Sequence, residues 1–391
     1  MRFLLIALLS TLPVLGFAQP SAELTCRPGT SAAGGAWRQY VEPEAVGWSS
    51  AALEEARAYA EEIGSTSVLV LKGGHVLLAW GDVAARHDVF SIRKSFLGAL
   101  IGNAVERGQI DPSATLAELG IDDSPPLTAQ ERTAKVSHLL KARSGVYHPA
   151  AFETSGMEKY RPDRDSHPPG THWFYNNWDF NALLTIYQEA TGEDVFLAFE
   201  REIADPLGME DFQLADTRFR FEEDKSVHPA YLFSMSARDL ARFGQLWLQQ
   251  GCWGGEELVS PEWVRASVTS YSKAFDGGYG YLSWWTYPAH FAAEYGYAEL
   301  RDYDSYMTTG SGGQVLWLIP DLELVVVHLH ERVNDDQVGA PKYWTLLDRI
   351  LAARTEEAPA DPPLGPVEPL PLGLATDHPG ADFLERIESD R

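Results

Sequence analysis

The chain has 391 residues, with 31 Lys and Arg against 56 Asp and Glu, and a formal charge of −25. Hydrophobic residues make up 45% and charged residues 22%, the balance of a packed globular protein, which excludes a chain that is disordered throughout. The acidic excess argues against nucleic acid as a partner, because phosphate binding needs a basic face. The two cysteines exclude a disulfide-dense scaffold, and their spacing argues against a cysteine-based zinc cluster.

The N-terminal sequence MRFLLIALLSTLPVLGFAQ is typical of a secretory signal peptide. Arg2 precedes an apolar run, and Gly16 and Ala18 supply the small residues that favour cleavage after residue 18. A membrane anchor is the alternative, but the run is shorter than the ~20 residues that a bilayer requires and contains Pro13. We therefore expect an exported protein, periplasmic or secreted, with no transmembrane segment after signal removal. Whether Cys26 and Cys252 then pair is left open by the sequence.

After the N-terminal region, the sequence predicts a helix, a hairpin, a helical stretch, a second hairpin and a last helix, in that order. The first helix covers residues 47–64, and the first hairpin turns at Gly73-Gly74. The second hairpin turns at Pro320-Asp321, and the last helix covers residues 343–354. Between the hairpins, helices are predicted at 94–107, 135–141, 178–190, 194–203 and 237–250.

This order predicts an α+β fold with two lobes. Strands from both hairpins are expected to form one antiparallel sheet flanked by helices, and the helical stretch forms an inserted lobe beside it. A cleft between two such lobes is a common place for a small-molecule site. The predicted divisions are a signal peptide at 1–18, an N-terminal extension at 19–45, a domain at 46–355 and a proline-rich, extended tail at 356–391. Within the domain, the α/β lobe covers about 46–90 and 234–355 and the helical lobe about 91–233.

Two S-x-x-K sequences occur, and their contexts differ. Ser91–Lys94 opens an apolar helical run, whereas Ser270–Lys273 runs into a predicted loop. At a helix start, free backbone N–H groups favour developing negative charge, and a lysine three residues on shares the face of the serine. Burial lowers the pKa of a lysine, which makes Ser91 and Lys94 a candidate nucleophile and base. The alternative is a capping serine beside a solvated lysine.

Tyr175-Asn176-Asn177 is a Y-x-N sequence between a proline-glycine turn and the helix predicted from Trp178. A phenol near an ammonium is favoured as phenolate, so Tyr175 is predicted to exchange a proton with Ser91 or the leaving group. The alternative is a core tyrosine followed by a capping asparagine.

A third motif, Gly310-Ser311-Gly312-Gly313-Gln314, leads into a predicted strand. Glycines at this place let a substrate approach the strand edge, and the backbone amides of Ser91 and Gln314 are predicted to form an oxyanion hole. An ordinary glycine-rich turn is the alternative. Aromatic residues near these motifs are expected either to line an apolar acyl pocket or to belong to the core: Tyr147, Trp173, Trp178, Tyr279, Trp284 and Trp285.

With these motifs in this order, residues 46–354 resemble the serine beta-lactamase-related hydrolases. That family includes class C beta-lactamases, penicillin-binding DD-peptidases, family VIII carboxylesterases and aminohexanoate-oligomer hydrolases. The resemblance implies that Ser91 is the acylated nucleophile, Lys94 its base and Tyr175 the partner that moves the proton. It also implies that Asn177 orients the lysine or binds a substrate amide, and that no cofactor is needed.

The glycine-rich motif departs from the beta-lactamase and DD-peptidase pattern. Those enzymes usually begin it with Lys or His, whereas this chain has Ser311, Gly312 and Gly313, which are predicted here to bind substrate. We therefore expect a small-molecule ester, amide or peptide-like substrate rather than a beta-lactam. A DD-peptidase or beta-lactamase, and a non-catalytic envelope binding module, remain the alternatives. His328 and His330 share a strand face, but without a third ligand they are taken as structural, so no metal is predicted. The oligomeric state is unknown from the sequence.

Overall fold

The computed structural model describes residues 35–274, 277–331, 338–355 and 362–372. The predicted signal peptide and Cys26 therefore lie outside the described residues. The helices are α1 (Ser50–Glu62), α2 (Arg93–Glu106), α3 (Leu116–Leu119), α4 (Val136–Leu140), α5 (Ser155–Lys159), α6 (Asn177–Thr191), α7 (Val195–Phe199), α8 (Asp205–Leu207), α9 (Ala237–Leu248), α10 (Pro261–Ser267), α11 (Ala289–Glu294) and α12 (Ala340–Ala352).

The strands form one large sheet and two small ones. They are β1 (Arg38–Tyr40), β2 (Ser67–Lys72), β3 (His75–Gly81), β4 (His87–Asp88), β5 (Thr217–Arg220), β6 (Ala230–Met235), β7 (Cys252–Trp253), β8 (Glu256–Glu257), β9 (Ser272–Ala274), β10 (Gly277–Tyr279), β11 (Trp284–Tyr287), β12 (Ser305–Gly310), β13 (Gln314–Ile319), β14 (Leu324–Leu329) and β15 (Leu364–Pro366). The ten-stranded sheet has the order β15-β1-β3-β2-β14-β13-β12-β11-β10-β9. Its pairs are antiparallel except for β1 with β3.

Both predicted hairpins are present and adjoin each other in the sheet through β2 and β14. Gly73 and Gly74 both have positive φ, of 57° and 81°, which is the conformation that a two-residue hairpin turn of type I′ requires. The turn between β13 and β14 contains Pro320 in a short 3₁₀ segment. The α+β fold predicted from these strands, with helices flanking the sheet, is thus the observed fold.

Helices cover both faces of the sheet. Successive side chains of β13 point to opposite faces, and each set packs against a different helix. Leu316 and Leu318 face α9, where Gly244 lies so close that an added Cβ would stand 2.7 Å from Leu316. Trp317, between them, packs against Trp344 of α12, with ring centroids 4.1 Å apart. Residues on both faces are therefore buried, and β13 reads as a continuous apolar run rather than an alternating one.

The ends of the domain are joined at one edge of the sheet. The predicted N-terminal extension supplies β1, and the described part of the proline-rich tail supplies β15, which pairs with it. Further along, Leu370 bonds to the backbone of β3 through Ala79 and Gly81. These contacts cover an edge that would otherwise present unpaired backbone groups. Cys252 is disulfide-bonded.

The stretch from β4 to β6 contains seven of the helices, α2 to α8. The three strands of this stretch form the small sheet β4-β6-β5. α2 packs against α6 and α7 and, at its N-terminal end, adjoins strands of the large sheet. In the described part of the chain, no helix is long and apolar enough to cross a bilayer.

Candidate active site

Ser91 lies in a tight turn immediately before α2. Residues Phe90–Ile92 form a 3₁₀ segment, and the α-helix begins at Arg93. Phe90 has φ 48°, a left-handed conformation that is costly for a residue with a side chain and is often found at functional sites. Gly310 at the end of β12 abuts this turn, because a Cβ there would lie 2.2 Å from the Val89 carbonyl oxygen. Glycine at position 310 therefore lets the sheet approach the turn that carries Ser91.

Lys94 joins the other two predicted catalytic residues. Its Nζ lies 2.8 Å from Ser91 Oγ and 2.7 Å from Tyr175 Oη. The Lys94 side chain is fully buried, whereas Ser91 is partly exposed. Lys94 Nζ also lies 4.8 Å from the centre of the Phe180 ring on α6. The structure thus brings Ser91, Lys94 and Tyr175 into one hydrogen-bonded group at the junction of α2 and the segment preceding α6.

The environment favours an uncharged Lys94. Burial, followed by the positive charge of Arg93, holds the pKa of Lys94 well below its ordinary value. A neutral amine has one lone pair and two N–H groups, so it can accept the Ser91 proton while donating to Tyr175 Oη. This is the protonation state that a general base needs before it takes a proton.

The expectation that Tyr175 is a phenolate is wrong. Burial raises the pKa of Tyr175 to about 12, and this outweighs the lowering by a hydrogen bond with Ser91 and by Arg93. The rings around Tyr175 account for the burial: Trp285 at 5.6 Å and Tyr279 at 6.0 Å between centroids. The phenol therefore keeps its proton at neutral pH and can donate it to another group.

Three of the six aromatic residues expected near the site form one cluster beside Tyr175. Trp173, Tyr279 and Trp285 contact one another, and the last two also contact Tyr175. Trp178 and Trp284 are fully buried core residues, the latter stacked on Trp247 of α9. Tyr147 is buried beside Phe174, which precedes Tyr175 in the chain.

Asn177 is the first residue of α6, and Asn176 caps that helix by accepting a hydrogen bond from the Asp179 amide. The Asn177 side-chain amide donates to the Phe152 carbonyl, and its Oδ1 is buried without a hydrogen-bond partner in the described structure. No hydrogen bond joins Asn177 to Lys94 among the described contacts. Its predicted role in binding a substrate amide stays a prediction.

The glycine-rich motif forms the turn between β12 and β13. Ser311 is partly exposed, whereas Gly312 and Gly313 are buried. A Cβ at Gly313 would lie 2.7 Å from Val338, and the Gly313 carbonyl contacts His328. Gln314 pairs with Gly310 in the sheet, and its side chain bonds to the His330 backbone. The predicted oxyanion hole and the predicted substrate contacts of Ser311, Gly312 and Gly313 stay predictions.

The second S-x-x-K sequence has none of this environment. Ser270 and Lys273 are both exposed, and within the described residues Ser270 Oγ donates one hydrogen bond, of 3.4 Å, to the Ser272 carbonyl. The helix predicted after Ser91 is present as α2, whereas the loop predicted from Ala274 to Gly278 is wrong, because Ala274 ends β9 and Gly277 begins β10.

A buried charge cluster supports the segment around Tyr175 and was missed in the sequence. His148 lies between the carboxylates of Asp123 and Glu131, with nitrogen–oxygen distances of 3.4 and 3.6 Å. Asp123 also accepts a hydrogen bond of 2.6 Å from the indole of Trp178, two residues after Asn176. Burial lowers the pKa of His148, but the two carboxylates outweigh it and raise the pKa overall. His148 and its two carboxylate neighbours thus bring three parts of the chain together behind the site.

Replacing His148 with glutamine is expected to destabilise the fold most at mildly acidic pH. When folding raises the pKa of a histidine, that histidine stabilises the folded state fully at pH values below its unfolded pKa of about 6.5. The contribution is lost as the pH rises through the higher pKa of the folded state. Removing one partner from a buried ion cluster costs about 3–5 kcal/mol. We expect that difference in unfolding free energy near pH 6, and a smaller one towards pH 9, in urea titrations of both proteins. A difference that is constant or grows with pH would contradict the assignment.

His328 and His330 have protein partners of their own. His328 contacts Ser65 Oγ at 2.8 Å and the Gly313 carbonyl, and His330 contacts the Gly64 carbonyl at 2.7 Å. Burial lowers the pKa of His328 to about 4. Among the described residues, no group of three or more His, Cys, Asp or Glu side chains is placed to hold a metal ion.

Comparison with known proteins identifies relatives that share this architecture. The chain is 24% identical to the 6-aminohexanoate-dimer hydrolase of Paenarthrobacter ureafaciens over 304 residues, or 71% of this chain and 75% of that protein. Its fold is similar to that of an octameric penicillin-binding protein homologue from Pyrococcus abyssi, with a TM-score of 0.56, 19% identity and coverage of 78% and 77% of the two chains. A class C beta-lactamase gives a TM-score of 0.56 at 17% identity, with coverage of 79% and 95%.

The sequence of the chain also matches a family model. Residues 51–349, most of the chain, match the beta-lactamase family. The resemblance seen in the motifs is thereby confirmed, and the chain belongs to the beta-lactamase family, a family of serine hydrolases.

Proposed function

We propose that the protein hydrolyses an ester or amide through an acyl-enzyme on Ser91. The observation that carries this proposal is the position of the buried Lys94 amine, within hydrogen-bond distance of both the Ser91 hydroxyl and the Tyr175 phenol. A serine is a weak nucleophile at its own pKa and needs a base within reach. A desolvated, neutral lysine is such a base.

In the proposed acylation, Ser91 Oγ forms a bond to the substrate carbonyl carbon and its proton passes to Lys94 Nζ. Lys94 donates a proton to Tyr175 Oη, and the phenol O–H donates its own proton to the leaving oxygen or nitrogen as the bond to that atom breaks. Because one proton arrives at Tyr175 as another departs, the relay requires no stable phenolate. Water then attacks the acyl-enzyme, and the same groups return the proton to Ser91.

We propose that the backbone amides of Ser91 and Gln314 donate hydrogen bonds to the oxyanion. We also propose that Asn177 and the Ser311–Gly313 segment bind the substrate. No cofactor enters this mechanism. We also propose that the protein is exported, on the pattern of its first 18 residues.

The proposed substrate lacks a carboxylate next to the scissile bond. Where many beta-lactamases have a cation, this chain has Ser311, and the loss of a charge-assisted hydrogen bond is worth about 1.5–3 kcal/mol. The amide-hydrolysing relative and the class C beta-lactamase-like fold are compatible with either an ester or an amide as the bond cleaved.

A matched set of substrates tests this preference. We expect higher kcat/KM for p-nitrophenyl butyrate and for a butyryl anilide than for nitrocefin. We also expect no advantage for a cephalosporin with a free carboxylate over its methyl ester, because position 311 holds a serine instead of the lysine or histidine that would bind that group. Faster turnover of nitrocefin, together with a marked preference for the free carboxylate, would instead identify a beta-lactamase or DD-peptidase.

A further inference from the structure

Arg93 lies between the nucleophile and the base in the sequence and is almost completely buried, with 1% exposure. Its guanidinium donates one hydrogen bond of 3.0 Å to the Phe90 carbonyl. Nε and Nη2 are buried without a hydrogen-bond partner in the described structure. Arginine is rarely buried without a carboxylate partner, because the desolvation of its charge is then uncompensated. Arg93 has no ion pair within the described residues.

The Arg93 guanidinium is enclosed by aromatic rings. Its central carbon lies 5.4 Å from the centre of the Phe152 ring and 5.2 Å from that of Tyr231. Ring faces attract a cation, but each contact supplies less than a carboxylate would. The positive charge is thus held in place by weak contacts, on the residue that directly precedes in the sequence the base of the proposed mechanism.

Four acidic groups on the elements packed around this site are neutral at neutral pH. Burial raises the pKa of Tyr175 to about 12 and that of the Asp179 carboxyl, in the first turn of α6, to about 8. Burial also raises the pKa of Tyr231 and of Tyr279, on the strands that pack against the site. Each of these groups is therefore mainly in its neutral, protonated form, and Arg93 is the one charged side chain among the titratable groups named here.

We infer that Arg93 is a positioning residue whose uncompensated positive charge keeps Lys94 neutral in the resting enzyme and drives the serine proton onward to the leaving group. Two adjacent buried cations repel each other, so an ammonium at Lys94 is disfavoured both before and after the serine has been deprotonated. Lys94 therefore passes the proton to Tyr175 instead of retaining it. The same positive charge stabilises the negative charge that develops on the substrate oxygen in the acylation transition state.

This inference rests on the proposed function, since it acts through Lys94 as the base. Phe152, whose ring lies beside the Arg93 guanidinium, is stacked on Phe90, and both residues have positive φ, of 59° and 48°. The hydrogen bond from Arg93 to the Phe90 carbonyl links this enclosure to the turn that carries Ser91.

The test compares Arg93→Gln with Arg93→Lys in the full-length protein. Glutamine removes the charge but retains an amide donor for the Phe90 carbonyl, whereas lysine retains a positive charge. For Arg93→Gln we expect the acid limb of the kcat/KM profile for p-nitrophenyl butyrate to move to higher pH by about one unit or more, which is about a tenfold loss on that limb. Activity should recover at alkaline pH. For Arg93→Lys the acid limb should stay near its wild-type position even if the maximal rate falls.

Arg242→Gln is the matched control for the loss of a buried arginine. Arg242 is also 1% exposed but lies on α9, where it pairs with Glu210 at 2.8 Å. We expect lower thermal stability from this change and an unaltered acid limb. If Arg93→Gln does not fold, Arg93→Lys decides the question. Its acid limb is compared with those of wild type and Arg242→Gln. An acid limb that shifts although the positive charge is kept overturns the inference.

The outcomes separate the inference from the proposed function. Folded Arg93→Gln with an unshifted acid limb and a uniformly reduced rate would show that Arg93 is structural only, while Ser91 acylation stands. Retention of activity by Ser91→Ala would overturn the proposed function itself, whatever the profile of the Arg93 variants.

Discussion

Replacing Ser91 with alanine is expected to lower kcat/KM for p-nitrophenyl butyrate by about 10⁴-fold or more. The hydroxyl is the atom that forms the acyl bond in the proposed mechanism, and no other group in the hydrogen-bonded set can take its place. The residual rate would come from substrate binding and oxyanion stabilisation alone. The same change should abolish labelling by a fluorophosphonate, which reacts with activated serines.

Ser270→Ala is the control for this experiment, because Ser270 belongs to the other S-x-x-K sequence of the same chain. Ser270 is exposed and its hydroxyl donates to a neighbouring backbone carbonyl, so its loss should leave both turnover and labelling unchanged. Equal turnover by pure wild type and Ser91→Ala would rule out the assignment of the nucleophile. Measurable ligand affinity with no covalent adduct in the wild type would favour a non-catalytic binding module.

The second large effect is expected for Lys94→Ala, with a loss of about 10²–10⁴-fold in kcat, the range typical of a general base. The alanine leaves the Ser91 hydroxyl without a proton acceptor and breaks the connection to Tyr175. Burst kinetics with p-nitrophenyl butyrate measure the acylation step directly, and that step should account for the loss.

Lys273→Ala supplies the matched control, since Lys273 is the exposed lysine of the second motif. Its removal should leave the burst rate within about twofold of wild type. If Lys94→Ala retained a normal burst rate, the proton would have to leave Ser91 by another route. Lys94 would then be a structural residue despite its contacts.

Much of the fold was predictable because its strands carry strong local signals. The two hairpins each have a turn sequence, Gly73-Gly74 and Pro320-Asp321, between apolar runs, and these signals do not depend on the rest of the chain. α2, α6 and α9 likewise begin and end within a few residues of the predicted bounds. The short edge strands β1 and β15 were not predicted, because three-residue segments carry no measurable periodicity and form only where another part of the chain is available to pair.

The candidate site was predictable in its members but not in its protonation states. S-x-x-K and Y-x-N indicated Ser91, Lys94 and Tyr175, and the structure places these side chains in contact. The state of the Tyr175 phenol depends on burial by Trp285 and Tyr279, which lie more than a hundred residues further along the chain. Such long-range burial cannot be read from a local motif.

Arg93 and His148 show the same limit in different ways. Arg93 lies inside the S-x-x-K sequence, and a second cation beside Lys94 was a visible signal that went unused. Its burial without a carboxylate became apparent only from the positions of Phe152 and Tyr231. His148 gave no local signal at all, since its partners Asp123 and Glu131 belong to a separate loop.

The most direct test of the acyl-enzyme is mass spectrometry of the protein after rapid acid quenching during turnover of p-nitrophenyl butyrate. The mechanism predicts a mass increase equal to one butyryl group, located by peptide mapping on Ser91 and lost in Ser91→Ala. A butyryl group on a different residue would contradict the mechanism. Rapid turnover with no adduct, under conditions that trap a fluorophosphonate on Ser91, would also contradict it.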